Sequence, residues 1–318
     1  MTLTLFLLLY GLVVSVAGPP VLARLTRRGI APQLGIAAWS AAMAVVILTW
    51  TGAAIMLVTE AVHWNRDAHW VSACVVEVLR SIDGRAAALL QGTLIAVSAV
   101  AAAALPLVVW RAGRGMLRMR THTLRHARTA RVIGQRLPGT DAVVVDTADR
   151  LAYCVAGRPK TIVITTGALD ALVPDQLGAV LAHERAHLIG RHHLLLASVR
   201  GLAAAAPWMR LFRDGATEIA LLLEMCADDS AARSHGRRAL LGGLLALTGS
   251  SVAPAGALGA SGGDVLARAH RLTVAVSTPV HARARTQLSL IVLSITASPI
   301  VFGALAAAGV IMCGPMGS

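Results

Sequence analysis

Long uncharged apolar runs dominate the hydrophobic pattern of the chain. A helix needs about 20 mostly apolar residues to cross a hydrocarbon core of roughly 30 Å. Four runs without Asp, Glu, Lys or Arg reach this length: residues 2–23, 34–59, 86–110 and 288–313. The pattern therefore predicts four membrane-spanning helices, three before a long mixed segment and one after it.

In the mixed segment, residues 111–287, short apolar stretches alternate with polar and charged ones, as is typical of a folded domain. Residues 114–136 predict a basic helix that enters this domain. Short β-branched runs separated by turn residues predict a small sheet. These runs are DAVVVD (141–146), LAYCV (151–155) and TIVIT (161–165). From Pro174 onward the pattern is helical, and the Gly-rich stretch 249–264 predicts a loop before a last helix.

Together these patterns predict an α-helical membrane protein with an inserted α+β domain. Its parts are a membrane region at 1–110, the domain at 111–287, and a last helix with a short tail at 288–318. The chain is 56% hydrophobic and 14% charged, whereas soluble domains are roughly 45–50% apolar and about 25% charged. The composition therefore favours a membrane protein over a soluble globule.

Lys160 is the only lysine, and its surroundings exclude two classes of site. A phosphate-binding loop would need Gly where Pro159 stands, and a Ser-x-x-Lys nucleophile would need Ser where Gly157 stands. The cysteines say less about the kind of site that the chain carries. Cys154 and Cys226 fall in the predicted cytoplasmic domain, and a disulfide between Cys74 and Cys313 stays a hypothesis.

Arginine is concentrated on one side of the predicted spans and accounts for most of the formal net charge of +13. The third run is followed by Arg111, Arg114, Arg118, Arg120, Arg125, Arg128 and Arg131 without an acidic residue. Because positively charged loops stay in the cytoplasm, we predict an outer N-terminus and a cytoplasmic domain in the bacterial cell membrane. The arginine row lacks interleaved aromatic residues, which favours anionic lipid over nucleic acid as its partner.

His183, Glu184 and His187 form the pattern H-E-x-x-H in the helical stretch that begins near Pro174. At 3.6 residues per turn both histidines lie on one helix face, where their imidazoles can reach a single zinc ion. Glu184 is offset, so its carboxylate would reach a water at the metal rather than the metal itself. The motif predicts a hydrolytic zinc site.

A catalytic zinc also needs a third protein ligand and an open position for water. We predict Glu224, which follows the apolar run IALLL on a second helix and has Asp228 one turn further on. Asp228 is placed to hold a zinc-bound imidazole through its other N–H. Glu218 is a weaker alternative, because it precedes the apolar run and has no acidic residue one turn on.

These motifs resemble the BlaR/MecR family of integral-membrane zinc peptidases, which is related to the HtpX-type gluzincins. The likeness rests on YCVAGRPKTIVITTGAL, on LAHERAHLIGRHH and on EMCADDSAA. Three spans before the domain favour the BlaR/MecR type over HtpX. The chain departs from that type in two ways. No penicillin-binding sensor domain is expected after the last predicted span, and Ala227 stands where BlaR-like proteins often have Cys.

The resemblance implies a gluzincin domain with one Zn²⁺, with ligands His183, His187 and Glu224. It implies that Glu184 is the general base of amide hydrolysis. An oxyanion donor is also needed, and the candidates left open are His192, His193 and Arg233. The run TIVIT (161–165) is predicted as a sheet edge onto which an extended substrate adds.

The function implied is proteolysis of a cytosolic regulator, such as a BlaI-type repressor, or of the chain itself, in signal transduction. One alternative is an HtpX-like quality-control protease of membrane proteins. Another is a receptor or scaffold that keeps the zinc fold and signals through a partner, although the intact H-E-x-x-H favours an enzyme. The expected partners are a cytosolic protein and the lipid bilayer, with no nucleic acid. A homo-oligomer is left open.

Overall fold

The computed structural model describes residues 2–63, 110, 113–114, 134–155, 160–248, 262–274 and 277–308. The first two helices are α1 (Thr2–Thr26) and α2 (Pro32–His63). The strands are β1 (Gln135–Arg136), β2 (Ala142–Val145), β3 (Ala152–Val155) and β4 (Thr161–Thr165). The remaining helices are α3 (Thr166–Ala171), α4 (Pro174–Ile189), α5 (His192–Ala205), α6 (Arg210–His235), α7 (Arg237–Leu247), α8 (Gly262–Thr273) and α9 (Thr278–Ala307).

Three of the described helices, α1, α2 and α9, are long and apolar enough to cross a membrane. Their candidate spans are Leu3–Thr26, Pro32–Leu57 and Thr278–Ala306. The predicted third span, 86–110, lies outside the described residues except for Trp110. Helix α9 begins before the predicted boundary at 288, because the basic stretch HARAR continues the same helix.

The four strands form one sheet in the order β1-β2-β4-β3. Strand β4 runs parallel to β2 and antiparallel to β3, so it lies inside the sheet. The prediction that TIVIT is an edge strand is therefore wrong. The physical reason is burial on both faces, since all five residues of β4 are buried. Among the strands that the structure describes, β1 and β3 are the edges of the sheet.

Two further boundaries differ from the sequence prediction. The predicted basic helix 114–136 does not extend to its end, because Gln135 and Arg136 pair with Val144 and Val143 as the antiparallel strand β1. The predicted loop 249–264 ends earlier, because helix α8 already begins at Gly262. Residues 249–261 and Cys74 and Cys313 lie outside the described residues.

Two of the four apolar clusters among the described residues position the sheet and the helices α4 and α6. One lies between the sheet and α4, where Ile162 and Ile164 contact Val180 and Leu181. The larger cluster joins the domain to the first two membrane helices. Its members include Leu22, Trp39, Met43, Val46, Leu211, Phe212, Ile219 and Leu222, which come from α1, α2 and α6. Burial of this shared surface fixes α6 against the spans.

Candidate metal centre

Helix α4 carries the H-E-x-x-H residues into the interior of the domain. The helix begins with Pro174 at its first position, where the missing N–H costs no hydrogen bond. His183 and His187 follow one turn apart, and their Nε2 atoms lie 3.1 Å from each other. Glu184 is buried beside them. At the C-terminal end of α4, directly after His187, the carbonyl oxygen of Leu188 accepts a hydrogen bond of 2.9 Å from Nζ of Lys160.

Glu224 on α6 faces the two histidines. Its Oε2 lies 3.4 Å from Nε2 of His183, and its Oε1 lies 3.4 Å from Nε2 of His187. One donor atom from each of the three residues falls within 4.8 Å of the others, and all three residues are buried. Two buried nitrogens and one buried carboxylate thus converge on one point.

This cluster fits a zinc ion by its donor set and by its unsatisfied atoms. Two imidazoles and one carboxylate are a known ligand set of catalytic zinc, which keeps a further position open. Within the described residues, Oε1 of Glu224 and Oε2 of Glu184 are buried without a hydrogen-bond partner. A buried carboxylate oxygen without a partner is costly unless a cation or a water satisfies it.

The surroundings shift the pKa values of the histidines and of Glu184 in different directions. Burial lowers the pKa of His187 to about 3, which keeps its imidazole neutral. Burial also disfavours the charged form of His183, but the carboxylates of Asp228 and Glu224 outweigh it and raise the pKa of His183 to about 10. Burial raises the pKa of Glu184 to about 7.

Asp228 stands behind His183, one helical turn beyond Glu224. Its Oδ1 lies 3.0 Å from Nδ1 of His183, the ring nitrogen that does not face Glu224. Burial raises the pKa of a carboxyl group, but hydrogen bonds with Arg268 and His183 hold the pKa of Asp228 below its usual range. Such a contact fixes the orientation of the imidazole.

The other predicted site residues lie in different places. His192 contacts His187, with 2.8 Å between their Nδ1 atoms. This contact is made by the ring nitrogen of His187 that does not face Glu224, so His192 supports His187 and does not join the cluster. His193 is half-buried and lies near Lys160 and Arg191. Burial is the main cause that lowers the pKa of His193, and the charges of these two residues lower it further. Arg233 is exposed near the end of α6. Glu218 accepts a hydrogen bond of 3.3 Å from Oγ1 of Thr26, away from the cluster.

The sequence analysis missed Arg268 on α8. Its side chain is only 4% exposed, and its Nη1 lies 2.9 Å from Oε2 of Glu224. A signal was present in the sequence, because Val265, Arg268 and Leu272 recur with a helical spacing. The structure buries all three side chains. An arginine on an otherwise apolar helix face indicates a buried acidic partner.

Strand β3 is the sheet edge beside this cluster. Burial and the neighbouring Glu184 carboxylate raise the pKa of the Cys154 thiol, which places Cys154 next to the predicted base. Backbone N–H of Thr165 donates to the carbonyl oxygen of Leu151. In an antiparallel pair the bonded positions alternate, so the N–H groups of Ala152 and Cys154 point away from β4.

The comparisons with known proteins agree with this geometry. The model of peptidase family M48 matches residues 119–228, which include the sheet, α4 and the part of α6 that carries Glu224 and Asp228. Neither a curated protein nor a solved structure matches the chain. Family M48 consists of zinc metallopeptidases, and the described spans are those of a membrane protein. The chain is therefore a membrane-associated zinc metallopeptidase whose residues 119–228 are similar to peptidase family M48.

Proposed function

We propose that the protein is a membrane-embedded zinc endopeptidase that cleaves a cytosolic regulator of the BlaI-repressor type, or its own chain, in signal transduction. The observation that carries the proposal is the convergence of His183, His187 and Glu224 beside the buried carboxylate of Glu184. This arrangement supplies a metal site and a base at one point. The arginines after the third predicted span support a site on the cytoplasmic side.

The side chains divide the work of peptide hydrolysis. His183, His187 and Glu224 would hold the zinc ion, which when bound lowers the pKa of a water molecule and polarises the scissile carbonyl. Glu184 takes a proton from the attacking water and delivers it to the leaving amine. Burial raises the pKa of Glu184 above its ordinary value, and a general base works best when its pKa lies near the operating pH.

The substrate would align on strand β3 rather than on β4. The outward N–H and C=O groups of Ala152 and Cys154 can pair with an extended peptide. This edge lies next to Glu184, so a peptide paired there would bring a backbone carbonyl to the site. Within the described part of the chain, no other strand pairs with this side of β3.

A second function, quality control of membrane proteins, has one observation in its favour. Helix α6 carries Glu224 and also packs against α1 and α2 in one apolar cluster. The site is therefore close to the spans, where a membrane-bound substrate would arrive. Capture of substrates by an inactive variant separates the two functions, because a repressor and a damaged membrane protein are identified directly.

The test is substitution Glu184→Gln in the full chain, purified in detergent. We expect zinc content near one per chain and a loss of peptide cleavage of about 10²- to 10⁴-fold, the usual contribution of a general base. Glu218→Gln is the matched control, since it makes the same change away from the cluster and should cleave normally. Cleavage at the wild-type rate by the Glu184→Gln variant would refute the proposal.

A further inference from the structure

Arg268 is a buried cation that contacts two of the site's carboxylates at once. Its Nε donates to Oδ2 of Asp228 at 2.8 Å, and its Nη2 donates to Oδ1 of Asp228 at 2.7 Å. Its Nη1 lies 2.9 Å from Oε2 of Glu224. All three nitrogens of the guanidinium group are therefore engaged. A planar fork of this kind fixes carboxylates in both distance and orientation.

The contact with Arg268 makes the two oxygens of Glu224 unequal. Oε2 is held by Arg268, whereas Oε1 has no hydrogen-bond partner within the described residues and lies 3.4 Å from Nε2 of His187. The oxygen that remains free is thus the one beside the second histidine. Oε2 also lies 3.4 Å from Nε2 of His183, but its contact with Arg268 is shorter, so Oε1 is the oxygen that would be presented to a cation.

Arg271 lies one turn beyond Arg268 on α8 and anchors that helix to its neighbours. Its Nη2 contacts both carboxylate oxygens of Asp229, at 2.8 and 2.7 Å. Its Nε donates to the carbonyl oxygen of Gly29 at 2.8 Å. Asp229 follows Asp228 directly on α6, so two arginines of α8 hold two consecutive aspartates of α6.

Gly29 lies in the short turn between the membrane helices α1 and α2. Its φ of +55° is one that residues with a Cβ rarely adopt. A Cβ at this position would also overlap the sulfur of Met225, the residue after Glu224. The turn between the spans therefore touches both the helix that carries Glu224 and the arginine that fixes α8.

We propose that Arg268 is a positioning residue of the metal centre, which holds Oε2 of Glu224 so that Oε1 is presented to the cation, and that Arg271 anchors its helix to the turn between the first two spans. The inference rests on the proposed zinc site. It does not require that the protein cleave a repressor, or any other particular substrate.

The experiment measures metal binding by the full chain in detergent, without a peptide substrate. Zinc affinity is measured by competition with a chelator, and the visible spectrum of the Co²⁺-loaded protein reports the ligand geometry. Arg268→Met should weaken zinc binding by about 10- to 100-fold, the usual effect of losing a residue that orients a metal ligand. The Co²⁺ spectrum of the folded variant should change, which a purely structural role would not cause.

Three variants complete the design. Arg268→Lys should recover part of the affinity, because the charge remains but one ammonium group cannot reach both carboxylates as a fork does. Arg271→Gln should weaken binding in the same direction and by less than Arg268→Met. His270→Gln is the control, because His270 is exposed on the same helix, and it should bind zinc as the wild type does.

Wild-type zinc affinity and Co²⁺ spectrum in a folded Arg268→Met variant would overturn the proposal. If that variant does not fold, the decision passes to Arg268→Lys and Arg271→Gln, and unchanged metal binding in both would overturn it equally. Failure of the proposed function has a different signature, since the wild type would then bind zinc with the expected dependence on Arg268 and still cleave no peptide.

Discussion

His192 shows how a single side chain can support a metal ligand without touching the metal. When His187 uses Nε2 toward the cluster, its Nδ1 carries the proton and donates to Nδ1 of His192. We expect His192→Ala to weaken zinc binding by about 10- to 100-fold. His192→Asn, whose amide oxygen can accept the same proton, should recover part of that loss. A variant with normal zinc affinity but a raised KM would instead make His192 a substrate contact.

Glu218 illustrates a carboxyl group whose charge is unfavourable in the folded state. Burial raises its pKa above the ordinary value, although Thr26 donates a hydrogen bond to it. The pKa of Glu218 is thus higher in the folded state than in the unfolded state. Its contribution to the free energy of unfolding is therefore complete below the unfolded pKa of about 4.3. The contribution is lost as the pH rises through the folded-state pKa.

Glu218→Gln should therefore raise the melting temperature at pH 7.5, by at most about 2–4 °C. The amide keeps an acceptor for Thr26 and cannot ionise. At pH 4, where the wild-type carboxyl is already largely protonated, the difference between the two proteins should disappear. An equal difference at both pH values would mean that packing, and not charge, distinguishes them.

The sequence predicts those site residues whose relation is local, and misses the one that depends on tertiary packing. His183, Glu184 and His187 belong to one helical turn, so spacing alone places them on one side of α4. Glu224 and Asp228 share a second helix in the same way. Arg268 reaches them only because α8 docks against α6, and no local period states which acidic residue will lie opposite a buried arginine.

Among the secondary-structure elements, β4 lies inside the sheet, although its sequence TIVIT is predicted above as an edge. The signal against an edge position for β4 was in the sequence, since an uninterrupted β-branched run is typical of a strand buried on both faces. Strand β3 mixes a small residue, an aromatic residue and a cysteine in AYCV. Lengths and composition thus predicted the strands, whereas their order depended on pairings between distant residues.

The edge position of β3 leads to a prediction about the backbone. Cys154→Pro removes one outward N–H, and proline is tolerated on an edge strand at a position that faces away from the sheet. We expect normal zinc content and a value of kcat/KM lowered roughly 2- to 10-fold, the cost of one hydrogen bond. Cys154→Ala is the matched control, because it removes the thiol and keeps the N–H. Equal activity of both variants would exclude substrate pairing at this position.

At the scale of the whole molecule, the domain and the first two membrane helices share their largest described apolar cluster. Helices α5 and α6 contribute Leu196, Val199, Leu211, Phe212 and Ile219 to it, opposite Leu22 and Trp39 of the spans. Gly215 permits a close approach of α6, since a Cβ there would overlap the Met43 side chain. The boundary predicted at 110 and 111 therefore separates chain segments rather than independent cores.

Expression of residues 111–287 without the membrane helices tests this shared core. The apolar face of α6 would be exposed to water, and large exposed apolar patches cause association. We expect aggregated protein, or protein that stays dispersed only in detergent, while the full chain in detergent elutes as one species from size-exclusion chromatography. A soluble monomeric fragment that binds zinc would show that the domain does not depend on the spans.

The contact of Lys160 with the end of α4 makes the metal-binding helix chemically addressable. Arginine side chains do not react with amine-directed acylating reagents under mild conditions, so the chain offers such a reagent one side-chain target and its amino terminus. A fluorophore placed on Lys160 would report from the last turn of the helix that carries His183 and His187, without any substitution. Acylation would also remove the positive charge at the negative end of that helix dipole. A labelled sample is thus at the same time a chemical variant of the helix cap.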